Sequence, residues 1–182
     1  MRTLSLALVG LALSLPLAGC GGSGGGDPAT AADQGGLSGK PAPELAASHV
    51  TGDGPKTLAE AKGKVVIVDF WGTFCDPCKK SFPKYQEMLD QFGGKLVIIG
   101  VAVDDADTGV DKIKEFVKET GVKFAITWDK DGAVDAKTKY KPAKMPTAFI
   151  IDKEGVIQHV HAGYEGGEEA KIAEEVKALV EK

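Results

Sequence analysis

Two largely apolar stretches joined by an amphipathic segment constrain the fold more than any other feature of this sequence. The first is K-V-V-I-V-D-F-W, Lys64 to Trp71, which is rich in β-branched residues and bounded by Gly63 and Gly72. The second is K-L-V-I-I-G-V-A-V, Lys95 to Val103. Unbroken apolar runs of this length are typical of strands buried on both faces of a sheet. With a helix between them, they predict a parallel βαβ unit with a right-handed crossover.

Helical spacing marks the segments that follow each of these strands. The first helix is predicted to start around Cys75 to Cys78 and to stop at Gly93-Gly94. Its apolar residues are Phe82, Tyr85, Met88, Leu89 and Phe92. The second helix ends near Gly121, and its marker residues are Val110, Ile113, Phe116 and Val117. Pro83 removes a backbone donor from the first helix and is expected to kink it.

The remaining elements complete an α/β domain. Thr147–Asp152 and Val156–His161 are predicted strands around the turn at 153–155, which suits a hairpin. Three further elements are a short strand at Phe124–Trp128, a weaker helix at Gly132–Tyr140, and a closing helix with Ile172, Val176, Leu179 and Val180 on one face. The order predicts a three-layer sandwich, in which a central mixed sheet is flanked by helices.

Composition limits the classes of function. The chain has 182 residues and a formal net charge of -4, and no basic patch with interleaved aromatics is present, so nucleic acid is not an expected partner. Three cysteines are too few for a fold built on disulfides. No glycine-rich dinucleotide or phosphate loop occurs, so no cofactor is expected.

The first nineteen residues have the proportions of an export signal. Arg2 precedes an apolar run from Leu4 to Leu17, which is too short to span a bilayer comfortably. The following L-A-G-C resembles the lipobox of bacterial lipoproteins. The resemblance implies cleavage after residue 19 and acylation of Cys20, which would anchor the chain to a membrane facing the periplasm. An ordinary signal peptide, with Cys20 incidental, is the alternative.

Residues 20–39 are interpreted as the lipidated cysteine and a flexible tether, and residues 40–182 as the folded domain. The tether is rich in Gly and Ser and lacks hydrophobic periodicity. Its nineteen residues after Cys20 would span roughly 25 Å as a random coil. The tether would therefore hold the domain off the membrane while letting it search for partners.

The pair Cys75 and Cys78 lies at a strand-to-helix junction, in W-G-T-F-C-D-P-C-K-K-S-F-P. Unpaired N–H groups at a helix start stabilise a thiolate, so the pKa of Cys75 should fall below the ordinary thiol value. Three interpretations remain open: a zinc site, a structural disulfide and a redox pair. A zinc site lacks further ligands, and so short a disulfide loop would stabilise little, so the spacing favours the redox pair.

The same stretch resembles the active site of the thioredoxin superfamily, and in particular the membrane-tethered oxidoreductases of the TlpA/ResA type. The resemblance includes K-P-A-P-E-L at Lys40 to Leu45 and K-M-P-T-A-F-I-I-D at Lys144 to Asp152. It implies that Cys75 attacks and Cys78 resolves. It further implies that Trp71 flanks the site and that Pro146 is a cis-proline whose backbone neighbours hold substrate. Met145 would face the sulfurs, with apolar packing as the alternative.

Asp69 is a carboxylate inside an apolar strand, between Val68 and Phe70. We expect it to be buried with a raised pKa and to take the proton of Cys78 as that thiol attacks. The alternative is that strand alternation points Asp69 to water. Thioredoxins have Asp at this position, whereas many tethered relatives have Asn.

Three positions depart from the tethered pattern. Phe74 replaces the more usual Trp before the first cysteine. Asp76 places a negative charge between the cysteines, which opposes thiolate formation at Cys75 and favours a reducing protein. Ser81 stands where the ResA type has Glu, which weakens the case for cytochrome c maturation.

Other polar clusters are interpreted as structural. His159 and His161 share a face of one strand and are interpreted as exposed edge-strand residues, not as metal ligands. Asp129-x-Asp131-Gly132 lacks the further ligands of a calcium loop. Asp104, Asp105 and Asp107 are interpreted as a loop and helix start. No metal is expected.

These observations predict an extracytoplasmic thiol–disulfide oxidoreductase that is lipid-anchored, monomeric and reducing towards disulfides in partner proteins. By resemblance, apocytochrome c is the leading substrate, and electrons would come from a membrane thiol donor. The alternatives are a thiol peroxidase, whose relatives share the K-P-A-P opening, and a Cu(I) chaperone using Cys75, Cys78 and Met145 or a histidine. The sequence does not decide between the inner and the outer membrane.

Overall fold

A computed structural model describes residues 36–130 and 136–182. The six strands are β1 Ser48–Thr51, β2 Val65–Trp71, β3 Leu96–Ala102, β4 Ala125–Trp128, β5 Thr147–Ile151 and β6 Ile157–Ala162. The α-helices described are α1 Asp76–Phe92, α2 Val110–Thr120, α3 Ala136–Tyr140 and α4 Glu168–Glu181. Cys20 and the tether as far as residue 35 lie outside the described residues, as do the candidate calcium-loop residues Asp131 and Gly132.

One mixed sheet runs through the molecule in the order β1-β4-β3-β2-β5-β6. The strands β2, β3 and β4 are mutually parallel, whereas β5, β6 and β1 each pair antiparallel with their neighbours. The predicted βαβ unit and the predicted hairpin are therefore confirmed. Strand β1 was not predicted from the sequence, because S-H-V-T is short and only one of its four residues is apolar.

Alternation along β2 divides the core into two layers, because successive side chains point to opposite faces. Val65, Ile67 and Trp71 face a cluster built with α1, α2 and α4. Val66, Val68 and Phe70 face a second cluster that includes Leu45 and Tyr140. Helices or loops thus cover both faces, as the three-layer prediction required.

The ends of α1 and α2 agree with the sequence prediction. Helix α1 runs through Pro83 to Phe92, and its backbone ends at Gly93, whose N–H bonds to the Leu89 carbonyl. The four residues predicted for the inner face of α4 are all buried: Ile172, Val176, Leu179 and Val180. No helix among the described residues has the length and apolar character needed to cross a bilayer.

Hydrogen bonds and packing hold the start of the domain against the β5–β6 hairpin. The Gly39 N–H donates to the Ile157 carbonyl at 2.8 Å, and Pro41 forms a bridge with Val156. Leu37 packs against the second core cluster. Ordered contacts therefore begin three residues before the domain boundary expected at residue 40.

The interpretation of His161 as an exposed residue is wrong. Its side chain is buried on β6 and bonds to Glu168 at 3.1 Å and to Glu175 at 2.6 Å. Helix α4, which carries both carboxylates, covers this edge of the sheet. His159 is half-exposed and lies 3.6 Å from Glu175. The sequence alone did not indicate these hydrogen bonds, because both glutamates lie on α4, which reaches β6 only in the tertiary fold.

Candidate active site

The two cysteines lie where β2 ends and α1 begins. Cys75 is the N-cap of α1, and its sulfur accepts a hydrogen bond from the Cys78 N–H at 3.2 Å. The two sulfurs form a disulfide, with the Cα atoms 5.3 Å apart. Cys75 is 5% exposed and Cys78 is fully buried, so Cys75 is the sulfur nearer to solvent.

The helix start supplies the electrostatic environment for this pair. Pro77 occupies the first turn, where its missing N–H costs nothing, and Asp76 is exposed beside the disulfide. The N–H of Cys78 that reaches the Cys75 sulfur would equally stabilise a thiolate there after reduction. The arrangement can therefore form, hold and release a bond between neighbouring sulfurs.

Asp69 is completely buried, as predicted from its apolar flanks. Alternation along β2 places it on the face that α1 covers, between Ile67 and Trp71. Burial raises the pKa of the Asp69 carboxyl well above its ordinary value, and the Tyr85 hydroxyl offsets part of this shift. Neither carboxylate oxygen has a hydrogen bond of normal geometry within the described part of the chain.

The Met145–Pro146 peptide bond is cis, as the resemblance implied. Because β5 pairs antiparallel with β2 and Phe70 lies opposite Thr147, Pro146 reaches the end of β2 from which the cysteine loop leaves. Pro146 is buried, and partly buried Met145 packs against both core clusters. Contact between these two residues and a substrate stays a prediction.

Two aromatic residues near the cysteines have different surroundings. Trp71 is fully buried against Phe82 and Phe116, with ring centroids 4.9 and 4.6 Å away. Phe74 is 70% exposed. Trp71 is therefore covered by its neighbours and the Phe74 ring lies open to solvent, while contact between Trp71 and a substrate stays a prediction.

Asp104 is a site-supporting residue that sequence reasoning missed. It is 2% exposed at the end of β3, and both its carboxylate oxygens accept from the Thr73 N–H at 3.1 Å. The Thr73 hydroxyl donates to the same carboxylate at 2.5 Å. Its position could have indicated this role, because Asp104 follows a strand parallel to β2 and lies at the sheet edge where the cysteine loop also emerges. Asp104 therefore ties the loop that leads into Cys75 to the sheet.

Ser81 is buried, and its hydroxyl donates to the Cys78 carbonyl at 3.3 Å. Its polar group is thus satisfied inside α1. Among residues 36–130 and 136–182, no group of three or more His, Cys, Asp or Glu side chains is arranged to hold a metal ion.

Comparisons with known proteins agree with this geometry. The AhpC/TSA family model matches residues 38–160. The thiol-disulfide oxidoreductase ResA of Bacillus thuringiensis subsp. konkukian is 40% identical over 124 residues, which cover 67% of this chain and 68% of that protein. The thioredoxin-like protein YneN of Bacillus subtilis is 30% identical over 125 residues, covering 69% of this chain and 71% of that protein.

A solved structure shows the same fold. The crystal structure of a thiol:disulfide interchange protein of the thioredoxin family from Chlorobium tepidum superposes with a TM-score of 0.64 at 26% identity. The match covers 77% of this chain and 95% of that one. The predicted thioredoxin-like fold and the resemblance to the TlpA/ResA type are confirmed.

Replacing Asp104 should loosen the cysteine loop. Asp104→Ala removes the acceptors of two partly buried Thr73 donors, the backbone N–H and the hydroxyl, and should lower the free energy of unfolding by about 2–4 kcal/mol. The matched control is Asp105→Ala, because exposed Asp105 caps only the short turn at Thr108, a change worth about 1 kcal/mol. Urea denaturation of the oxidised proteins measures both. Equal losses for the two variants would contradict the role given to Asp104.

Proposed function

This chain belongs to the AhpC/TSA family and is a thiol–disulfide oxidoreductase, and from that premise we propose that it reduces disulfides in partner proteins outside the cytoplasm. The observation that carries the proposal is the Cys75–Cys78 pair at the amino end of α1, with its outer sulfur beside exposed Phe74. A pair that is one helical turn apart can exchange a bond with a visiting disulfide without moving the backbone.

The reaction consumes one dithiol and one disulfide. In the reduced protein, the Cys75 thiolate attacks a substrate sulfur, which breaks the substrate disulfide and releases one substrate thiolate. Cys78 then attacks the Cys75 sulfur and releases the second substrate thiol. Two electrons pass to the substrate, and the Cys75–Cys78 disulfide of the structure is the oxidised product. A membrane thiol donor would restore the dithiol.

Asp69 is proposed as the base of the second step. It and Cys78 are both fully buried between β2 and α1, where water is not available to take a proton. When Cys78 attacks, its S–H bond breaks and the proton passes to the Asp69 carboxylate. The raised pKa of Asp69 supports this role, because it brings the carboxylate closer to the proton affinity of a thiol.

The direction of transfer is proposed to be reducing. The exposed Asp76 lies between the cysteines and disfavours negative charge on Cys75. A less stable thiolate makes the reduced form less favoured, so the dithiol gives up its electrons more readily. The alternative direction, oxidation of partner thiols, would need the opposite balance.

Protein disulfides are the proposed substrate class, with apocytochrome c as the leading candidate from the resemblance to the ResA type. Exposed Phe74 and the position of Pro146 next to the end of β2 support recognition of an extended peptide beside the cysteines. Ser81 replaces the Glu of that type and donates its hydroxyl inward, so it offers no charge to a partner. Partner selection in this chain would therefore depend on the surface around Phe74.

The protein is further proposed to be held at a membrane through acylated Cys20. The support is the L-A-G-C at residues 17–20 and the Gly-rich segment after it. Several acyl chains together would anchor the chain firmly, whereas a single one is marginal.

The two alternative functions have less support. The matched relative ResA is named a thiol-disulfide oxidoreductase, and the reactive cysteine here has a bonded partner in the C-x-x-C frame, which a thiol peroxidase does not require. The copper site considered as an alternative would use Met145 or a histidine beside the two sulfurs. His161, the buried histidine, is engaged by two glutamates far along the sheet.

The roles of the two cysteines can be separated by substitution. Cys75→Ser should abolish the reduction of insulin disulfides, whereas Cys78→Ser should accumulate a mixed disulfide that mass spectrometry detects. The reduction potential of the wild-type pair should lie below about -200 mV. A value near the -120 mV of a strong oxidant would overturn the proposed direction, and turnover by Cys75→Ser would overturn the function.

Substituting Asp69 should slow disulfide reduction and raise the free energy of unfolding. Because the pKa of Asp69 is raised in the fold, the folded chain holds this proton more tightly than the unfolded chain. Wild-type stability should therefore fall as pH rises from about 4 through the raised value. Asp69→Asn should escape this loss and gain about 1–3 kcal/mol at pH 7, while disulfide reduction slows.

Urea denaturation of the oxidised proteins at pH 5 and pH 8 measures the effect of Asp69. The gap between Asp69→Asn and wild type should widen at the higher pH. Asp90→Asn is the control, since Asp90 is an exposed carboxylate on α1. A gap that is constant with pH would show that Asp69 ionises as freely in the fold as in the unfolded chain.

Membrane anchoring can be tested in cells. The wild-type chain should sediment with the membrane fraction and incorporate a labelled fatty acid, and Cys20→Ser should do neither. Fatty-acid labelling that survives the Cys20→Ser substitution would contradict acylation at this residue.

A further inference from the structure

A row of paired residues crosses the sheet through Asp69. Asp69 lies opposite Gly100 on β3 and Ala148 on β5, and Ala148 lies opposite His161 on β6. Directly paired residues point to the same face of a sheet. Asp69 and His161 therefore both face α1 and α4, about 10 Å apart at two strand spacings. Neither neighbour of Asp69 in this row has a polar side chain.

At the β6 end of the row, His161 and nearby glutamates form a hydrogen-bonded cluster. His161 bonds to Glu168 and Glu175, and the second oxygen of Glu168 accepts from the Glu165 N–H at 3.4 Å. Burial lowers the pKa of His161, but its bonds to Glu175 and Glu168 outweigh burial and raise the pKa overall. The two carboxylates thus favour the protonated form of His161.

Tyr85 interacts with groups at both ends of this row, Asp69 at one end and Glu168 at the other. It is buried on α1, seven residues after Cys78, and its hydroxyl is in electrostatic contact with Asp69, Glu168 and Tyr164. Burial, followed by the charge of Asp69, raises the pKa of Tyr85 well above its ordinary value. The hydroxyl therefore keeps its proton throughout the neutral range and can act as a donor.

A tyrosine hydroxyl donates one hydrogen bond, and the other polar neighbours of Tyr85 are already engaged. Both oxygens of Glu168 accept from other groups, and the Tyr164 hydroxyl donates to Glu169 at 3.0 Å. Asp69 is the neighbour that lacks a normal hydrogen bond within the described residues. The Tyr85 hydroxyl acts on Asp69 as a hydrogen-bond donor that lowers the pKa of its carboxyl, so the donor is matched to the neighbour whose oxygens have no other partner.

We propose that Tyr85 is a positioning residue for the second step of disulfide exchange, in which its hydroxyl stabilises the charged form of Asp69 so that this carboxylate can accept the proton of Cys78. The inference rests on the proposed role of Asp69 as base. The Cys78 S–H bond breaks, an O–H bond forms on Asp69, and Tyr85 keeps its own proton throughout. Without the hydroxyl, the pKa of Asp69 would rise further, so less of the carboxylate would be charged and able to accept the proton.

The second step can be observed directly with dithiobis(nitrobenzoate). Reduced protein should release two equivalents of coloured thionitrobenzoate in two phases. The first follows attack by Cys75 and depends on reagent concentration. The second follows attack by Cys78 on the mixed disulfide and does not depend on reagent concentration. Stopped-flow absorbance across pH gives the profile of the second phase alone.

Tyr85→Phe should shift the midpoint of that profile upward by about one pH unit, which corresponds to the loss of one hydrogen bond to a charged group. The second phase near pH 7 should slow several-fold, and the first phase should not change. Tyr140→Phe is the matched control. Tyr140 is also a fully buried tyrosine, but it lies on the opposite face and donates to the Pro43 carbonyl at 2.6 Å. Its profile should match that of wild type.

A double-mutant cycle links the effect to Asp69. In an Asp69→Asn background, adding Tyr85→Phe should leave the profile unchanged. Superimposed profiles for wild type and Tyr85→Phe, or an equal shift in both backgrounds, would overturn the proposal. Tyr85→Met, which also lacks the hydroxyl, should reproduce the shift and replaces Tyr85→Phe if that variant does not fold.

The outcome also distinguishes this inference from the proposed function. A wild-type protein that releases no second equivalent cannot complete an exchange, and the oxidoreductase mechanism itself would fail. A wild-type protein with both phases, combined with an unshifted Tyr85→Phe profile, would reject only the role of Tyr85.

Discussion

The burial of β2 on both faces is the constraint on which the other features depend. All seven of its residues are buried, and it pairs with β3 on one side and β5 on the other. Such a strand has little freedom to shift, because a slip of one residue would exchange the side chains of the two core layers. The end of β2 is therefore held in place, and it sets the positions of the cysteine loop, the start of α1 and Pro146.

Near the end of β2, a residue needed for the proposed chemistry lowers the stability of the fold. Asp69, whose carboxyl oxygens have no hydrogen-bond partner within the described residues, lies in the apolar layer between β2 and α1, where an apolar side chain would be more stable. On the same face, the His161 cluster is fully paired and attaches α4 to the sheet edge. Asp69 and the Trp71 Nε1 are the buried polar groups on this face that lack a hydrogen-bond partner among the described residues, and both lie near the end of β2 from which the cysteine loop leaves.

The surroundings of the cysteines combine fixed and variable parts. Beneath them, Trp71 packs against Phe82 and Phe116, and Gly100 leaves space for its indole: a Cβ there would lie 3.2 Å from the indole nitrogen. Above them, Phe74 and Asp76 are exposed. The buried parts hold the geometry of exchange, whereas the exposed parts can tune potential and partner choice at little cost to the fold.

Local pattern was sufficient to predict most elements of this domain. The apolar runs gave β2 and β3, helical spacing gave α1, α2 and α4, and the C-x-x-C motif located the reactive pair, because each of these signals lies within one continuous segment. The short strand β1, the hydrogen bonds from Thr73 to Asp104, the pairing of His161 with α4 and the approach of Tyr85 to Asp69 were decided only by tertiary structure. Each of them joins residues from different elements, and hydrophobic periodicity reports which face of an element is buried but not which side chain it will meet there.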